Sequence, residues 1–260
     1  MRPKEELQDV KNFFFDVEKT LLNWDTTVLG AEDLIYSLRE SGKNVFFHTD
    51  TSVFSRKQYA SRLTDSGLEA SPEEVLTSGT VAAKSLAEKD IGKAYVIGEE
   101  GLINELESED IDFSKDAETV VVGLDRQFNY SKLRRAKKIL DEGGDMYFCS
   151  TDQVLRRSTS TVPHQAALNE ALKVFGEGEV IGKPSQEFKK VFKGYFSYFP
   201  SNSLFVGDRF ADIEMGNRLG MKTAGVLTGE ISEEALKEAD DLEKPDFMIS
   251  SLPKLRKAVL

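Results

Sequence analysis

Short apolar runs alternate along this chain with segments of helical periodicity. Phe13-Phe14-Phe15 ends at Asp16 and predicts a buried strand, and residues 31–41 carry apolar side chains at helical spacing before a stop at Gly42. Asn44–Thr49 predicts a second strand, and another helical segment follows it. Strands that alternate with helices are typical of a parallel sheet covered by helices, so we expect an α/β fold.

The same alternation continues to the end of the chain. Further strands are predicted over residues 94–97, 119–124, 146–149, 203–206, 223–227 and 247–249, and further helices over 55–67, 131–140, 165–175, 187–196 and 211–219. A length of 260 residues allows one large domain or a domain with a second one inserted. We find no internal repeat and no flexible linker, so domain boundaries are predicted in short connections near residues 77–82 and 177–182.

Composition excludes several classes of protein. The chain is 40% hydrophobic and 30% charged, which is typical of a globular protein and excludes a disordered or fibrous one. Its 45 Asp and Glu outnumber 34 Lys and Arg, and no basic block is present, so we expect no nucleic acid and no membrane surface as a partner. No apolar stretch reaches the about 20 residues that span a bilayer. Residues 1–10 lack the apolar segment of a signal peptide, so a cytoplasmic location is predicted.

Cysteine and histidine are scarce. The single cysteine, Cys149, lies in an apolar run and forms neither an internal disulfide nor a multi-cysteine zinc site, so we interpret it as a small buried hydrophobe rather than a nucleophile. The two histidines, His48 and His164, are too few for most histidine-based metal centres. Metal chemistry in this chain is therefore expected to depend on carboxylates.

Polar side chains follow three of the predicted strands. The segments are Asp16-Val17-Glu18-Lys19-Thr20, Thr49-Asp50-Thr51-Ser52 and Gly207-Asp208-Arg209-Phe210-Ala211-Asp212, and Gly182-Lys183-Pro184-Ser185 precedes a predicted helix. Ligands of parallel α/β sheets collect at the carboxyl ends of the strands, so we expect these residues at one edge. Each alone has an ordinary structural interpretation, as an acidic strand end, a turn cap or a surface lysine. Only the ordered set indicates a site.

This set suits phosphoryl transfer. Carboxylates without histidine or cysteine favour a hard cation such as Mg²⁺. A carboxylate can attack phosphorus to form an aspartyl-phosphate, while a cation, a lysine and hydroxyl donors hold the charge of the transferring group. A second carboxyl two residues after the nucleophile lies on the same side of an extended strand end. It could protonate the leaving oxygen and later activate water.

The ordered set resembles the haloacid dehalogenase (HAD) phosphatase superfamily, whose first motif is Asp-x-Asp-Gly-Thr, and more narrowly its NagD and 4-nitrophenylphosphatase branch. Supporting segments are Leu29-Gly30-Ala31, Ser55-Arg56-Lys57-Gln58-Tyr59, Val120-Val121-Val122-Gly123-Leu124-Asp125-Arg126 and Tyr130-Ser131-Lys132-Leu133. The resemblance runs from about residue 11 to about residue 230. It implies a Rossmann-like core over residues 1–79 and 180–260, with a large α/β cap of the C2 type inserted over residues 80–179.

The resemblance also implies the metal site. Asp16 would be the nucleophile and a ligand of Mg²⁺, and the backbone carbonyl of Glu18 would be a second ligand. Asp208 would bind the cation, and Asp212 would bind it or hold its waters. The metal set implied by the family is thus Asp16, Glu18, Asp208 and Asp212.

Phosphate binding and acid–base chemistry follow from the same resemblance. Thr49 and Lys183 would bind the phosphoryl oxygens, Lys183 would offset carboxylate charge during catalysis, and Asp50 stands beside Thr49 in the phosphate-binding segment. Glu18 occupies the acid–base position, with one methylene more than the aspartate of the family. A carboxyl displaced by about 1 Å can lose roughly a hundredfold in rate.

Three further positions depart from the family pattern. Lys19 replaces a glycine where the backbone turns tightly, so an unusual backbone or a local rearrangement is expected. Asp50 replaces an asparagine and adds negative charge near an anionic substrate. His164 stands where the branch has a glycine, and it is either a surface residue at a helix N-terminus or a donor in the substrate pocket.

Two functions stay open at this point. One is a Mg²⁺-dependent phosphomonoesterase that acts on a small phosphorylated metabolite through an aspartyl-phosphate. The other is a catalytically weakened member of the family that acts in binding or scaffolding. The charged residues Asp16, Lys183, Asp208 and Asp212 favour the enzyme. This branch often pairs through the cap, so a homodimer of that kind is a further expectation.

Overall fold

The computed structural model describes residues 6–23, 26–156, 160–227 and 229–260, and the chain divides into two compact units. The first comprises Met1–Thr49, Ala60–Val75 and Phe196–Leu260, and the second comprises Asp50–Tyr59 and Leu76–Tyr195. These limits differ from the boundaries expected from the sequence, since residues 50–59, 76–79 and 180–195 join the second unit. The assignment of a core over 1–79 and 180–260 with a cap over 80–179 stays a prediction.

The first unit is built on a six-stranded sheet. In spatial order its strands are Phe247–Ile249, Lys222–Val226, Ser203–Gly207, Asn12–Asp16, Asn44–Thr49 and Val75–Thr77, and the unit boundary falls inside the last. The first five strands pair in parallel. The helices of this unit are Ala31–Glu40, Phe210–Leu219 and Leu252–Val259, the end of Arg56–Asp65, and the 3₁₀ turns Pro72–Glu74, Pro200–Asn202, Ala235–Lys237 and Asp241–Glu243. Leu22–Asn23 pairs antiparallel with Thr26–Thr27.

The strand Asn12–Asp16 lies inside this sheet, between two parallel neighbours. All five of its residues are buried, and the ring of Phe14 stacks on Phe46 with the ring centroids 4.8 Å apart. A strand covered on both faces needs consecutive rather than alternating apolar residues, which explains the run of three phenylalanines. Burial of this strand therefore holds its last residue, Asp16, firmly in place.

The helix Ala31–Glu40 confirms the periodicity found in the sequence. Leu34, Ile35 and Leu38 lie on its buried face, and the chain leaves the helix through Gly42 at a φ of 69°. A residue at positive φ is disfavoured for any side chain with a Cβ, so glycine ends the helix there at little strain.

The second unit contains a five-stranded parallel sheet. In spatial order its strands are Glu179–Val180, Asp145–Phe148, Thr119–Val122, Lys93–Ile97 and Asp112–Phe113. Its helices are Ser78–Glu88, Glu100–Glu107, Tyr130–Asp141, Ala166–Lys173 and Gln186–Tyr195, with the start of Arg56–Asp65, and Val154–Arg156 pairs antiparallel with Thr161–Pro163. Its core includes Ile97, Val120, Phe148 and Leu172. Two parallel sheets with alternating helices confirm the predicted α/β fold class.

The positions of Cys149 and His164 in the second unit can be compared with the predictions from the sequence. Cys149 is buried, as predicted, and burial raises the pKa of its thiol to about 12. His164 is only 2% exposed, so its interpretation as a surface residue is wrong. Its backbone N–H donates to the carbonyl of Gln153, which ties the segment down at the end of the antiparallel pair. Across the described ranges, no helix combines the length and the apolar character that crossing a bilayer requires.

Candidate active site

Three neighbouring parallel strands of the first unit end in the polar residues that the sequence singled out. Asp16 ends one strand and is paired in register with His48, and Thr49 ends the next strand. Asp208 follows directly on the third strand, which ends at Gly207. Asp16, Thr49 and Asp208 are all buried. The prediction that these strand ends meet at one edge of a sheet is confirmed for the first unit.

The carboxylate of Glu18 contacts Thr49 and Arg62. The hydroxyl of Thr49 donates to Glu18 Oε2 over 2.5 Å, and the guanidinium of Arg62 lies 3.9 Å from Oε1. About a fifth of the Glu18 side chain is exposed. The hydroxyl that the sequence assigned to phosphate thus contacts the carboxylate of Glu18, and the role of Thr49 in phosphate binding stays a prediction. The orientation of this carboxylate is thus set by Thr49 and Arg62 together.

Lys19 adopts the left-handed conformation, with a φ of 66°. Its backbone N–H donates to the carbonyl of Leu22, and the N–H groups of Leu21 and Leu22 both donate to the carbonyl of Val17. The tight turn that the family makes with glycine is therefore kept, and a lysine occupies the strained position. The unusual backbone expected at Lys19 is what the structure has.

Two glycines leave space for the carboxylates of Asp208 and Asp212. A Cβ on Gly207 would lie 2.3 Å from the Cβ of Asp212, and a Cβ on Gly229 would lie 1.5 Å from Oδ2 of Asp208. Neither separation is physically tolerable, so both positions require glycine. Asp208 Oδ1 also accepts a bond of 3.4 Å from the hydroxyl of Thr20.

Asp212 stands in the first turn of the helix Phe210–Leu219. Its Oδ2 accepts the backbone N–H of Arg209, and the carboxylate lies at the positive end of the helix dipole. The guanidinium of Arg209 lies 3.7 Å from Asp16 Oδ1 and 3.8 Å from Asp212 Oδ2. Arg209 thus offsets part of the negative charge of two buried carboxylates.

The donor set is compatible with a divalent cation. Asp16, Asp212 and His48 each offer one ligand atom, all of these atoms lie within 4.8 Å of one another, and all three residues are buried. Two buried carboxylates of like charge are unfavourable unless cations compensate them. Asp208 lies directly after the strand Ser203–Gly207, and its carboxylate accepts a hydrogen bond from the hydroxyl of Thr20. This part of the site can hold a divalent cation, and the assignment of that cation as Mg²⁺ stays a prediction.

Asp50 and Lys183 belong to the second unit and pair with each other there. The backbone N–H of Lys183 donates to Asp50 Oδ1 over 3.1 Å, and its Nζ lies 3.5 Å from Asp50 Oδ2. Ser78 donates to the Asp50 carbonyl over 2.7 Å. The negative charge of Asp50 is thus matched by a buried lysine. The predicted roles of Asp50 and Lys183 in phosphate binding, and of Lys183 in catalysis, stay predictions.

Sequence reasoning gave no role to His48, Arg209 or Gly229. His48 was set aside because two histidines are too few for most histidine-based centres. The sequence did contain a signal for His48, since it lies in a predicted strand, one residue before Thr49. A polar ring in a buried strand needs a polar partner, which indicates a contact with the site. Arg209 lies inside the motif at residues 207–212. Only the structure at the start of the helix Phe210–Leu219 shows that its guanidinium lies near Asp16.

Known proteins are similar to this chain in sequence and in fold. Profiles described as haloacid dehalogenase-like hydrolase and HAD-hydrolase-like match residues 13–112 and 180–255. Phosphoglycolate phosphatase 2 of Arabidopsis thaliana is 30% identical, with 96% of this chain and 93% of that protein covered. This chain is a HAD-like hydrolase.

Solved structures agree with that assignment. The 4-nitrophenylphosphatase of Thermotoga maritima matches the hydrolase with a TM-score of 0.89 and 25% identity, over 98% of this chain and 99% of that one. NagD of Escherichia coli has the same fold, with a TM-score of 0.84 and 23% identity over 94% and 97% of the two chains. The HAD-like hydrolase therefore belongs to the NagD and 4-nitrophenylphosphatase branch, and it is an enzyme of the phosphatase type.

Proposed function

We propose that this hydrolase cleaves phosphomonoesters of small metabolites with Asp16 as the nucleophile and Mg²⁺ or a similar hard divalent cation as cofactor. The observation that carries the proposal is the burial of the Asp16 carboxylate at the end of a central strand, with Arg209, His48 and Asp212 around it. The guanidinium of Arg209 lies 3.7 Å from Asp16 Oδ1, where it offsets negative charge on the oxygen that would attack phosphorus.

Asp16 and Asp212 would hold the cation, with Asp208 and the backbone carbonyl of Glu18 as further ligands implied by the family. When bound, the cation supplies positive charge that offsets these carboxylates and the oxygens of the phosphoryl group. Arg209 supplies a fixed positive charge to the same two carboxylates, Asp16 and Asp212.

The chemical steps can be assigned to two side chains. An oxygen of Asp16 attacks phosphorus, the bond from phosphorus to the leaving oxygen breaks, and the carboxyl of Glu18 donates a proton to that oxygen. Glu18, now ionised, takes a proton from water as the water oxygen attacks phosphorus. The bond between phosphorus and the Asp16 oxygen breaks, which releases inorganic phosphate and regenerates the Asp16 carboxylate. Thr49 and Arg62 would hold the Glu18 carboxyl in place for both proton transfers.

The substrate class is inferred from the relatives. Two further relatives by name are the glycerol-3-phosphate phosphatase of mouse and the 5'-nucleotidase YutF of Bacillus subtilis, each 29% identical to this chain. We infer a small phosphorylated metabolite as substrate and neither nucleic acid nor membrane as partner. A cytoplasmic location and a homodimer through residues 80–179 stay predictions of the same kind.

The second candidate is a slow enzyme that acts mainly in binding. It rests on two observations, the replacement of the family aspartate by Glu18 and the left-handed Lys19 beside it. Both lie at the acid–base position, and neither alters Asp16.

A phosphatase screen separates the two. The protein is assayed with Mg²⁺ on 4-nitrophenyl phosphate and on a panel of 2-phosphoglycolate, glycerol 3-phosphate, sugar phosphates and nucleoside monophosphates. Asp16→Asn is run in parallel, with Asp116→Asn, an almost fully exposed aspartate, as the matched control. Turnover that Asp16→Asn abolishes and Asp116→Asn retains supports the enzyme. Turnover at the uncatalysed rate with every substrate favours the binding protein.

A further inference from the structure

His48 brings a nitrogen donor to the candidate metal site. Its Nδ1 lies 3.7 Å from Asp16 Oδ1, and its ligand atom lies within 4.8 Å of those of Asp16 and Asp212. All three residues belong to the first unit and are buried. The local donor set is therefore two carboxylates and one imidazole, whereas the set implied by the sequence contained oxygen donors alone.

The distance between the two atoms fits ligands of one ion. An N–H···O hydrogen bond spans about 2.7–3.2 Å, so a separation of 3.7 Å is longer than such a bond. Two donors that each lie about 2.1 Å from a divalent ion are about 3.0 Å apart when adjacent and about 4.2 Å apart when opposite. The observed separation lies between these limits, so one ion could bind both atoms after small movements.

The ring of His48 is already oriented. It stacks on Phe205, with the centroids 4.1 Å apart and the planes at 21°. The carbonyl of His48 accepts the N–H of Val17, which fixes the backbone next to Asp16. A residue that only filled the core could be a phenylalanine, as at positions 46 and 47 beside it in the strand. An imidazole adds a ligand atom directed toward the nucleophile.

We propose that His48 is a ligand of the catalytic metal and that the site therefore prefers a divalent transition-metal ion, such as Mn²⁺, to Mg²⁺. Mg²⁺ binds oxygen donors, whereas imidazole suits transition metals. Mn²⁺ accepts oxygen ligands of the same kind as Mg²⁺, so the carboxylates serve both ions and the nitrogen discriminates between them. This proposal rests on the proposed function, because it concerns the same site.

Metal affinity is the first test. Calorimetry gives the dissociation constants of Mn²⁺ and Mg²⁺ for the full chain, for His48→Phe, which keeps a ring on Phe205, and for His48→Gln, which offers an oxygen donor. We expect Mn²⁺ to bind at least about tenfold more tightly than Mg²⁺, and both variants to reduce that ratio by about tenfold. Asp116→Asn alters an almost fully exposed aspartate and should leave the ratio unchanged. An unchanged ratio in both His48 variants would overturn the proposal.

Pulsed electron paramagnetic resonance of the Mn²⁺-loaded protein is the second test and does not depend on activity. We expect a ¹⁴N coupling from a bound imidazole, which is replaced by a ¹⁵N coupling on histidine labelling and is absent in His48→Phe. Bound Mn²⁺ without nitrogen coupling, or no Mn²⁺ binding at all, would overturn the proposal. Circular dichroism checks that the variants fold, and His48→Gln supplies the answer if His48→Phe does not.

The two proposals fail separately. Phosphatase activity that depends on Asp16, combined with Mn²⁺ that lacks nitrogen coupling, removes His48 as a ligand and leaves the enzyme intact. Nitrogen coupling without phosphatase activity on any substrate leaves the metal site intact and removes the proposed function.

Discussion

The hydroxyl of Thr49 donates a hydrogen bond to Oε2 of Glu18 over 2.5 Å. Thr49, at the end of the strand Asn44–Thr49, therefore orients the carboxyl of Glu18, the proposed proton donor. Glu18 lies just beyond the end of the neighbouring strand Asn12–Asp16. Arg62, 3.9 Å from the other oxygen, completes the arrangement. The position of Glu18 is determined by these contacts as well as by the length of its side chain.

Glu18→Gln should reveal the proton donor through the leaving group. An alkyl phosphate needs its oxygen protonated as it departs, whereas an aryl phosphate expels a stable anion. We expect kcat/KM to fall about a hundredfold for the alkyl substrate and less than about tenfold for 4-nitrophenyl phosphate. Steady-state kinetics on both substrates measure this, with the exposed Glu107→Gln as control. Equal values for the variant and the unaltered protein on both substrates would remove Glu18 from the acid–base role.

Lys19→Gly should stabilise the protein. Lys19 has a φ of 66°, where a side chain with a Cβ costs about 1 kcal/mol or more and glycine costs little. We expect Tm to rise by about 2 °C in differential scanning calorimetry. Lys115→Gly is the matched control, because this exposed lysine is not at positive φ and its replacement only adds freedom to the unfolded chain. A fall in Tm as large as that of the control would contradict the prediction.

Cys149 should be unreactive until the chain unfolds. Burial raises the pKa of its thiol to about 12, so the native protein contains almost no thiolate at pH 8. In the unfolded chain a thiol ionises near pH 8.5, so the unfolded state binds fewer protons above that pH and the free energy of unfolding falls from about pH 8.5 to about pH 12. A disulfide reagent should label Cys149 in denaturant and not in buffer. Rapid native labelling at pH 8 would show that the thiol is exposed or ionised.

The sequence predicted the elements that carry an apolar pattern better than the elements that lack one. The buried strand Asn12–Asp16 and the helix Ala31–Glu40 were found because consecutive or periodic apolar residues mark them. The strand Asp112–Phe113 was missed because two exposed residues carry no pattern. The helix Ser78–Glu88 was missed because its first turn is Ser-Gly-Thr, a segment of low helix propensity that a cap by Thr77 stabilises.

The candidate site was likewise predicted only in part. Motif order placed Asp16 and Asp208 at strand ends, because parallel strands must bring those ends together. It did not place His48 against Asp16, because that contact depends on the register between two strands. The approach of Arg209 to Asp16 depends on the start of a helix, and motif spacing does not encode it.

Chelation should abolish activity and lower stability. Asp16 and Asp212 are buried carboxylates that a bound cation would relieve of mutual repulsion. We expect excess chelator to stop turnover, and a divalent ion at about 100 times its Kd to stabilise the native state by about 2.7 kcal/mol through linkage. Activity assays and thermal denaturation with and without the ion measure this. Full turnover in excess chelator would refute the metal requirement.

Hydrolysis should pass through a phosphorylated Asp16. An acyl phosphate is reduced by borohydride to the alcohol, so an enzyme quenched during turnover and reduced should contain homoserine in place of Asp16. The measurement is mass spectrometry of the peptide that spans residue 16, from the unaltered protein and from Asp16→Asn. We expect homoserine at position 16 in the first and at no position in the second. Homoserine at another aspartate, or rapid turnover that yields none, would contradict it.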